Sequence, residues 1–317
     1  MKRYYLVILF MFFLVGCSST NLTDEVKVLV PNGIPLIAVG GLVEKENITI
    51  EAVAGPDLLI SGMISKSHDI IIAPLNIGAK VYATGSTNYQ LDAIITTGNT
   101  YIVSRKTDSL KDINDLNFKE ILAYGRNATP DIILRKALAL NNINTNITYL
   151  GGIDQVIPSF VGNPYDPNDM YIEPPKYILC AEPILSKLEI EYGMELNILN
   201  LQDELKTEID LIPQAAIFVN KESENIESIN KVLALIESNV EDLNNNSKEY
   251  AQEILNKHQY FKNLTAVIIE NSIPRSNIIF KKVNKGDGNI LKYFNILLAF
   301  NPDLLGKNIP DEDFYRS

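Results

Sequence analysis

The 317-residue chain has no tryptophan, two cysteines and two histidines. The histidines, His68 and His258, stand far apart, and neither lies within ligand spacing of another histidine or a cysteine. That argues against a zinc centre. His68 reads as a surface residue and His258 as part of a charged, solvated helix. No G-x-S-x-G elbow and no G-x-x-x-x-G-K-[ST] loop occurs, which removes the usual serine-hydrolase and P-loop signatures. Basic residues are in deficit, 28 against 39 acidic ones, for a formal net charge of −11. An acidic chain is a poor wrapper of nucleic acid. It says little about a ligand, because a site can differ in sign from the whole. No sequence repeat of ~20–50 residues is evident, so a solenoid is not expected. No apolar run reaches the ~18 residues that read as a membrane span. With tryptophan absent and Asn, Ile and Lys abundant, part of the composition reflects biased genome usage rather than chemistry.

What is present begins with a short leader. Lys2 and Arg3 precede an apolar run over residues 4–15. As a helix that run is about 18 Å long, against a hydrocarbon core of ~30 Å. A basic start, a short apolar middle and small residues at the exit describe a secretory signal. The exit, Leu14-Val15-Gly16-Cys17, resembles the bacterial lipobox. The resemblance implies cleavage before Cys17 and a diacylglyceryl thioether on its sulfur. Each buried acyl CH₂ contributes ~0.8 kcal/mol, so two or three chains hold a protein firmly at a membrane surface. Residues 17–25 read as a tether. Cys180 then has no internal partner for a disulfide.

The remainder repeats one grammar: a short β-branched apolar run, a turn of Gly, Pro, Asn, Asp or Thr, then a helical pattern. "VKVLVPNG", "ITIEAVAGPD", "DIIIAPLN", "KEILAYGRNATPD", "NITYLGGID" and "KYILCAEP" lead into helices expected at 35–44, 58–65, 77–84, 132–141, 155–161 and 184–192. Continuous apolar runs suit parallel strands covered on both faces, and their alternation with helices predicts an α/β layered fold. Pro130 fits a first helical position after a Thr129 cap. Beyond about residue 222, two amphipathic helices are expected at 226–243 and 248–258. "AIITTGNTYIVSR" and "IPQAAIFVN" read as two crossings between lobes. The expected partition is a signal over 1–16, a tether over 17–25, the first part of lobe 1 over 26–99, lobe 2 over 100–213, and the return crossing with completion of lobe 1 over 214–317.

In open α/β sheets, ligands bind outside the carboxyl ends of the strands. Those ends carry Asn32-Gly33, Gly55-Pro56-Asp57, Pro74-Leu75-Asn76, Gly125 through Thr129, and Glu182-Pro183. Each precedes a helix start, where unpartnered N–H groups collect partial positive charge. Any one loop serves equally as a cap or tight turn. Their recurrence at successive strand ends favours a shared polar cleft for a ligand with acceptor or anionic groups. Cys180 lies within an apolar strand and reads as core rather than nucleophile. Acidic pairs such as Glu189/Glu191 read as solvated faces.

The stretches "GPDLLISGMISKSHDIIIAPLNIGAKVY", "TTGNTYIVS", "YGRNATPDIILRKAL", "AEPIL", "IPQAAIFVN", "PRSNI" and "NPDLLGKNIPDEDFY", in this order and behind a lipobox, resemble the solute-binding lipoproteins of ABC importers. The nearest branch is the nitrate, sulfonate, taurine and thiamine-precursor type. The resemblance spans about residues 28–315. It implies a two-lobed periplasmic-binding-protein fold of the type with two hinge strands (type II), each lobe a mainly parallel sheet flanked by helices. It also implies a monomer without cofactor or catalytic role, carried outside the membrane and held there through Cys17, or in the periplasm where an outer membrane exists. Its partners would be a small polar or anionic organic solute and the permease subunits of an importer.

Position by position, the resemblance places Asn76 at the lobe 1 strand end, Gly98, Asn99 and Tyr101 at the hinge, Thr129 at a lobe 2 helix start with Arg126 beside it, and Gln214 at the return crossing. Glu182 stands either for ligand contact or for capping its own helix. Arg275 either pairs with ligand or staples the C-terminal helix to lobe 1; its apolar flanks favour the staple. Tyr101 is equally readable as a core tyrosine. With Asn32, the ligand candidates are Asn32, Asn76, Asn99, Tyr101, Arg126, Thr129, Glu182 and Arg275. The chain departs from the family at the proline-rich stretch 162–176, an irregular surface loop whose Tyr165 and Tyr171 would alternatively form a lid. The missing tryptophan weakens a pyrimidine ligand, because the thiamine-precursor members use tryptophan-rich pockets. Two rivals to transport stand beside it: a sensory or adhesive surface receptor, and an enzyme on the same scaffold, the latter disfavoured by the export signal.

Overall fold

The computed structural model describes residues 22–162 and 174–316. The leader, Cys17, and Tyr165 and Tyr171 of the proline-rich stretch lie outside these residues. Among the described residues no helix is long and apolar enough to cross a membrane.

The chain opens with β1 (Val26–Pro31), α1 (Ile34–Ala38), β2 (Ile48–Val53), α2 (Pro56–Ser65), β3 (Ile70–Pro74), α3 (Leu75–Ala83) and β4 (Tyr89–Thr96). A four-residue crossing leads to β5 (Tyr101–Arg105), β6 (Glu120–Tyr124), α4 (Thr129–Leu140), β7 (Asn146–Leu150), α5 (Ile153–Val161), β8 (Tyr177–Cys180), α6 (Ile184–Ile190) and β9 (Leu196–Asn200). The return brings β10 (Ala215–Asn220), α7 (Ile226–Asn245), α8 (Ser247–Ile254), α9 (Ala266–Arg275), β11 (Ile278–Lys282) and α10 (Gly288–Phe300).

Two sheets result. The first, here lobe 1, has the order β11-β4-β10-β3-β1-β2; the second, lobe 2, has β7-β6-β8-β5-β9. Both are mixed. In lobe 1, β2, β1 and β3 pair in parallel, while β10 pairs antiparallel with both β3 and β4. In lobe 2, β7, β6 and β8 are parallel and β5 is antiparallel to β8 and β9. The departure from a mainly parallel ladder comes from the crossings and from the edge strand β11, which pairs antiparallel with β4. The strands just after each crossing, β5 and β10, enter the opposite sheet running against their neighbours.

The apolar runs follow from burial on both faces. In β3, Ile70 and Ile72 face a core shared with α1, α7 and α9, while Ile71 and Ala73 face the one shared with α2, α3 and α10. In β10, Ile217 and Val219 join the former, and Ala216 and Phe218 the latter. A strand with two dry faces has no polar side to alternate with. Packing is close enough to dictate glycine: a Cβ on Gly78 of α3 would lie 2.1 Å from the Phe218 ring. Lobe 2 repeats the arrangement, with Cys180 in a cluster that contains Val156, Phe160, Leu185 and Leu188.

The helices expected from sequence occur, but several start earlier. α2 begins at Pro56 and α3 at Leu75, because the turn-like residues form the first helical turn. Thr129 is the first residue of α4 and Ala128 its N-cap, with no side-chain cap bond. α8 stops at Ile254, and His258 caps a following short 3₁₀ helix by accepting a hydrogen bond from Tyr260 N.

Candidate functional site

The carboxyl ends of strands from both sheets open onto one cleft of about 530 Å³. Lobe 1 supplies Asn32 and Gly33 after β1, Gly55 and Pro56 after β2, Pro74 and Asn76 after β3, and Thr96 at the end of β4. Lobe 2 supplies Tyr124 at the end of β6, Ala128 through Pro130 at the start of α4, and Ala181 with Glu182 after β8. Tyr293 of α10 closes one side. The N-caps of α1, α2, α3 and α4 are Gly33, Gly55, Pro74 and Ala128, and none makes a side-chain cap bond. First-turn N–H groups have no partner inside a helix, but Pro35, Pro56 and Pro130 carry no N–H and Leu75 N is already bonded to Gln214 O, so these starts keep only a reduced set of donors. Gly33 and Gly55 adopt φ of 101° and 84°, which lets the chain turn sharply from strand to helix where a side chain would be strained.

The floor is built by the crossings. Gln214 N donates to Thr96 O at 2.9 Å, Leu75 N to Gln214 O at 2.8 Å, and Ala215 N to Thr96 Oγ1 at 3.0 Å. Gly98 has φ of 50° and sits so close to Gln202 that a Cβ would lie 1.7 Å from its Oε1. Asn99 clamps the crossing to lobe 2: its Nδ2 donates to Glu182 O at 3.2 Å and its Oδ1 accepts from Glu182 N at 2.8 Å.

The structure brings five of the eight candidate ligand residues to the cleft: Asn32, Asn76, Asn99, Thr129 and Glu182. Asn32 is exposed. Asn76 is only 8 % exposed, and its amide has no hydrogen-bond partner among the described residues. Thr129 Oγ1 lies 3.5 Å from the Tyr293 hydroxyl. Glu182 lines the cleft, but its carboxylate is engaged elsewhere. Oε2 accepts from Ser186 N at 3.0 Å, capping α6, and Oε1 lies 2.5 Å from Arg275 Nε.

Three candidates lie off the cleft. The Tyr101 hydroxyl donates to Arg275 O. Arg126 places its guanidinium 5.4 Å over the Tyr149 ring. Arg275, in the last turn of α9, reaches from lobe 1 into lobe 2, where Nη2 meets Glu189 Oε2 at 2.7 Å and Ser186 Oγ at 2.8 Å. It is a clasp between lobes rather than a staple within one. Burial pushes the Glu182 carboxyl above the usual carboxylate range, with Arg275 pulling the other way. Burial disfavours the Arg275 charge too, but Glu189 and Glu182 outweigh it and hold the guanidinium protonated.

Sequence reasoning missed two cleft tyrosines. Tyr124 ends the run "EILAY", so the strand-end rule that picked out Asn76 would have found it. Tyr293 carries no local signal; it arrives because α10 packs beside α4. Among the described residues no group of three or more His, Cys, Asp or Glu side chains is placed to hold a metal ion.

Solved structures share this arrangement. An ABC transporter protein from Parabacteroides distasonis superposes with a TM-score of 0.76 at 20% identity, covering 93% of this chain and 99% of that one. The periplasmic aliphatic sulphonate binding protein SsuA of Escherichia coli gives 0.70 at 12% identity, covering 93% and 92%. The zinc-bound ligand-binding component of an ABC-type import system from Staphylococcus aureus gives 0.64 at 12% identity, covering 93% and 96%. The fold is that of the periplasmic binding proteins. At these identities the likeness speaks for the fold, not for a ligand. No protein-family model matches the sequence, and no curated protein sequence matches it. In this binding-protein fold the gap between the sheets is where the strand ends of this chain converge.

Proposed function

We propose that this chain is an exported solute receptor that captures a small organic molecule between its lobes and presents it to an ABC import permease. The observation that carries the reading is the cleft itself: about 530 Å³, lined from both sheets, with a buried and unpartnered Asn76 at its wall. A volume of this order suits a ligand of drug-like size, since such sites span ~300–1,000 Å³. The apolar leader ending at Cys17 supports export and attachment to a membrane through a lipid. Solute bridging the lobes would shift an open–closed balance only through contacts that are better in the closed form.

Native mass spectrometry of the chain from Ser18 onward, purified without denaturant, tests this together with a thermal-shift screen of small metabolites. A solute at 100 times its dissociation constant should stabilise the protein by ~2.7 kcal/mol. The shift should vanish in Asn76→Leu and Thr129→Leu with circular dichroism unchanged. A shift retained in both variants, or a screen without any cleft binder, overturns the receptor reading.

A further inference from the structure

We propose that the solute is uncharged where it meets the protein: an apolar-bodied molecule whose carbonyl, amide or hydroxyl groups are read by Asn76 from lobe 1 and Tyr124 from lobe 2. This rests on the receptor reading and narrows its ligand class.

The charges around the cleft point the same way. Among the described residues no lysine, arginine or histidine lines it. Its one acidic lining residue among the described residues is Glu182, whose Oε2 accepts from Ser186 N and whose Oε1 is ion-paired with Arg275 Nε. Arg275 serves Glu189 as well, so the clasp holds two carboxylates against one guanidinium and leans negative. The nearby cation of lobe 2, Arg126, rests on Tyr149. A carboxylate or sulfonate entering here would lose water without meeting a side-chain cation. An unpaired buried charge costs several kcal/mol. Bare helix-start N–H groups offset part of that, and the negative clasp works against it.

The unfilled polar capacity is neutral. Asn76 is only 8 % exposed, and its amide, one acceptor with two donors, has no partner among the described residues. The Tyr124 hydroxyl has none either, and burial pushes its ionisation well above the ordinary range, so it remains a neutral donor and acceptor. They face the same cavity from opposite sheets. Neither group is among the buried atoms left without a partner, and Tyr124 is half-buried, so both open onto the cleft; a solute that displaces their water without offering matching groups leaves them unbonded and is rejected. Much of the remaining wall is apolar, with Ile34, Leu59, Ile77 and Tyr293 among prolines. A cavity of about 530 Å³ is far larger than an inorganic oxyanion.

A head-group series on one ring system tests this: 2-naphthamide, 2-naphthoate, naphthalene-2-sulfonate and 2-naphthylmethylammonium, titrated at neutral pH by calorimetry and ligand-observed NMR. The amide should bind at least about tenfold tighter than either anion, a difference of ~1.4 kcal/mol. Its affinity should stay level between about 50 and about 500 mM salt, since no exposed ion pair forms. Tyr124→Phe and Asn76→Leu should each weaken the amide by about fivefold or more, the worth of a hydrogen bond to a buried group, with the fold intact. An anion that binds tighter than the amide, above all one whose affinity falls in Arg126→Ala, overturns the inference and leaves the receptor reading standing. Preference for the ammonium overturns it too. A series in which nothing reaches the cleft counts against both.

Discussion

The two flanks of the cleft join the lobes by opposite chemistry. On one side α9 meets α6 through charge: Arg275, Glu182, Glu189 and Ser186, with the Tyr101 hydroxyl on the Arg275 carbonyl. On the other, α10 meets α4 within a continuous apolar core. Ile290, Phe294 and Leu297 of α10 share one cluster with Ile133 and Ala137 of α4 and with Phe218 and Phe314 of lobe 1. Polar contacts there are peripheral: Asn301 Nδ2 donates to Asn127 O at 3.0 Å, and Arg135 stacks 5.1 Å from the Phe300 ring. The apolar flank contributes through area and is indifferent to pH. The polar flank contributes little net stability, because desolvation offsets attraction, but fixes one relative placement of the lobes.

Breaking the apolar flank should have the larger effect on stability. Phe294 is fully buried, against Tyr293 and Phe314. Phe294→Ala should cost about 3–5 kcal/mol, a lost side chain plus a cavity that the surroundings fill only in part. Urea denaturation followed by circular dichroism measures it. A loss below about 1 kcal/mol, the level of an ordinary surface change, would mean that α10 is not a structural bridge.

The polar flank should give less and respond to pH. Arg275→Met leaves Glu182 buried beside Glu189 with no cation. Because Arg275 is a quarter exposed, we expect about 1–3 kcal/mol at neutral pH rather than the larger cost of breaking a fully buried pair. The folded-state carboxyl of Glu182 is already raised, so its ionised form opposes folding. Removing Arg275 raises it further. As pH falls through that folded value towards the unfolded one, near ~4.3, the carboxyl takes up a proton and the penalty fades. The gap between Arg275→Met and the parent should therefore shrink on acidification, while the Phe294→Ala gap does not. Denaturant midpoints across a pH series decide it; parallel curves would remove Glu182 from the clasp.

The same contrast shows what the sequence discloses. Strand ends and helix starts are local signals, so Asn76, Thr129 and Glu182 were legible, as was the two-sided burial of "DIIIAPLN" and "AAIFVN". Pro56 and Leu75 resemble turns in the sequence, so the expected helix starts fall late, yet both residues complete a first helical turn. The clasp was not legible. Arg275 and Glu189 lie 86 residues apart, and nothing around either names the other. Apolar flanks made Arg275 look like part of a helix packing within one lobe, because sequence shows burial but not the partner. Tyr293 escaped for the same reason, its place in the cleft being set by helix packing rather than by its neighbours in the chain.

Glu189→Gln sharpens the comparison with the smallest change. Glu189 is partly exposed and holds Arg275 by one contact, while Glu182 keeps its own at 2.5 Å. Stability should fall by no more than about 1 kcal/mol, the worth of a partly exposed pair. The electrostatics change more than the fold does. With one carboxylate against one guanidinium the clasp is neutral, and the negative lean beside the cleft is gone. Across the naphthyl series the anions should then gain about two- to threefold relative to the amide at low salt, and the gain should fade as salt is raised, because the field passes partly through solvent. An unchanged ranking would show that the clasp only joins the lobes, and that exclusion of anions comes from the neutral wall alone.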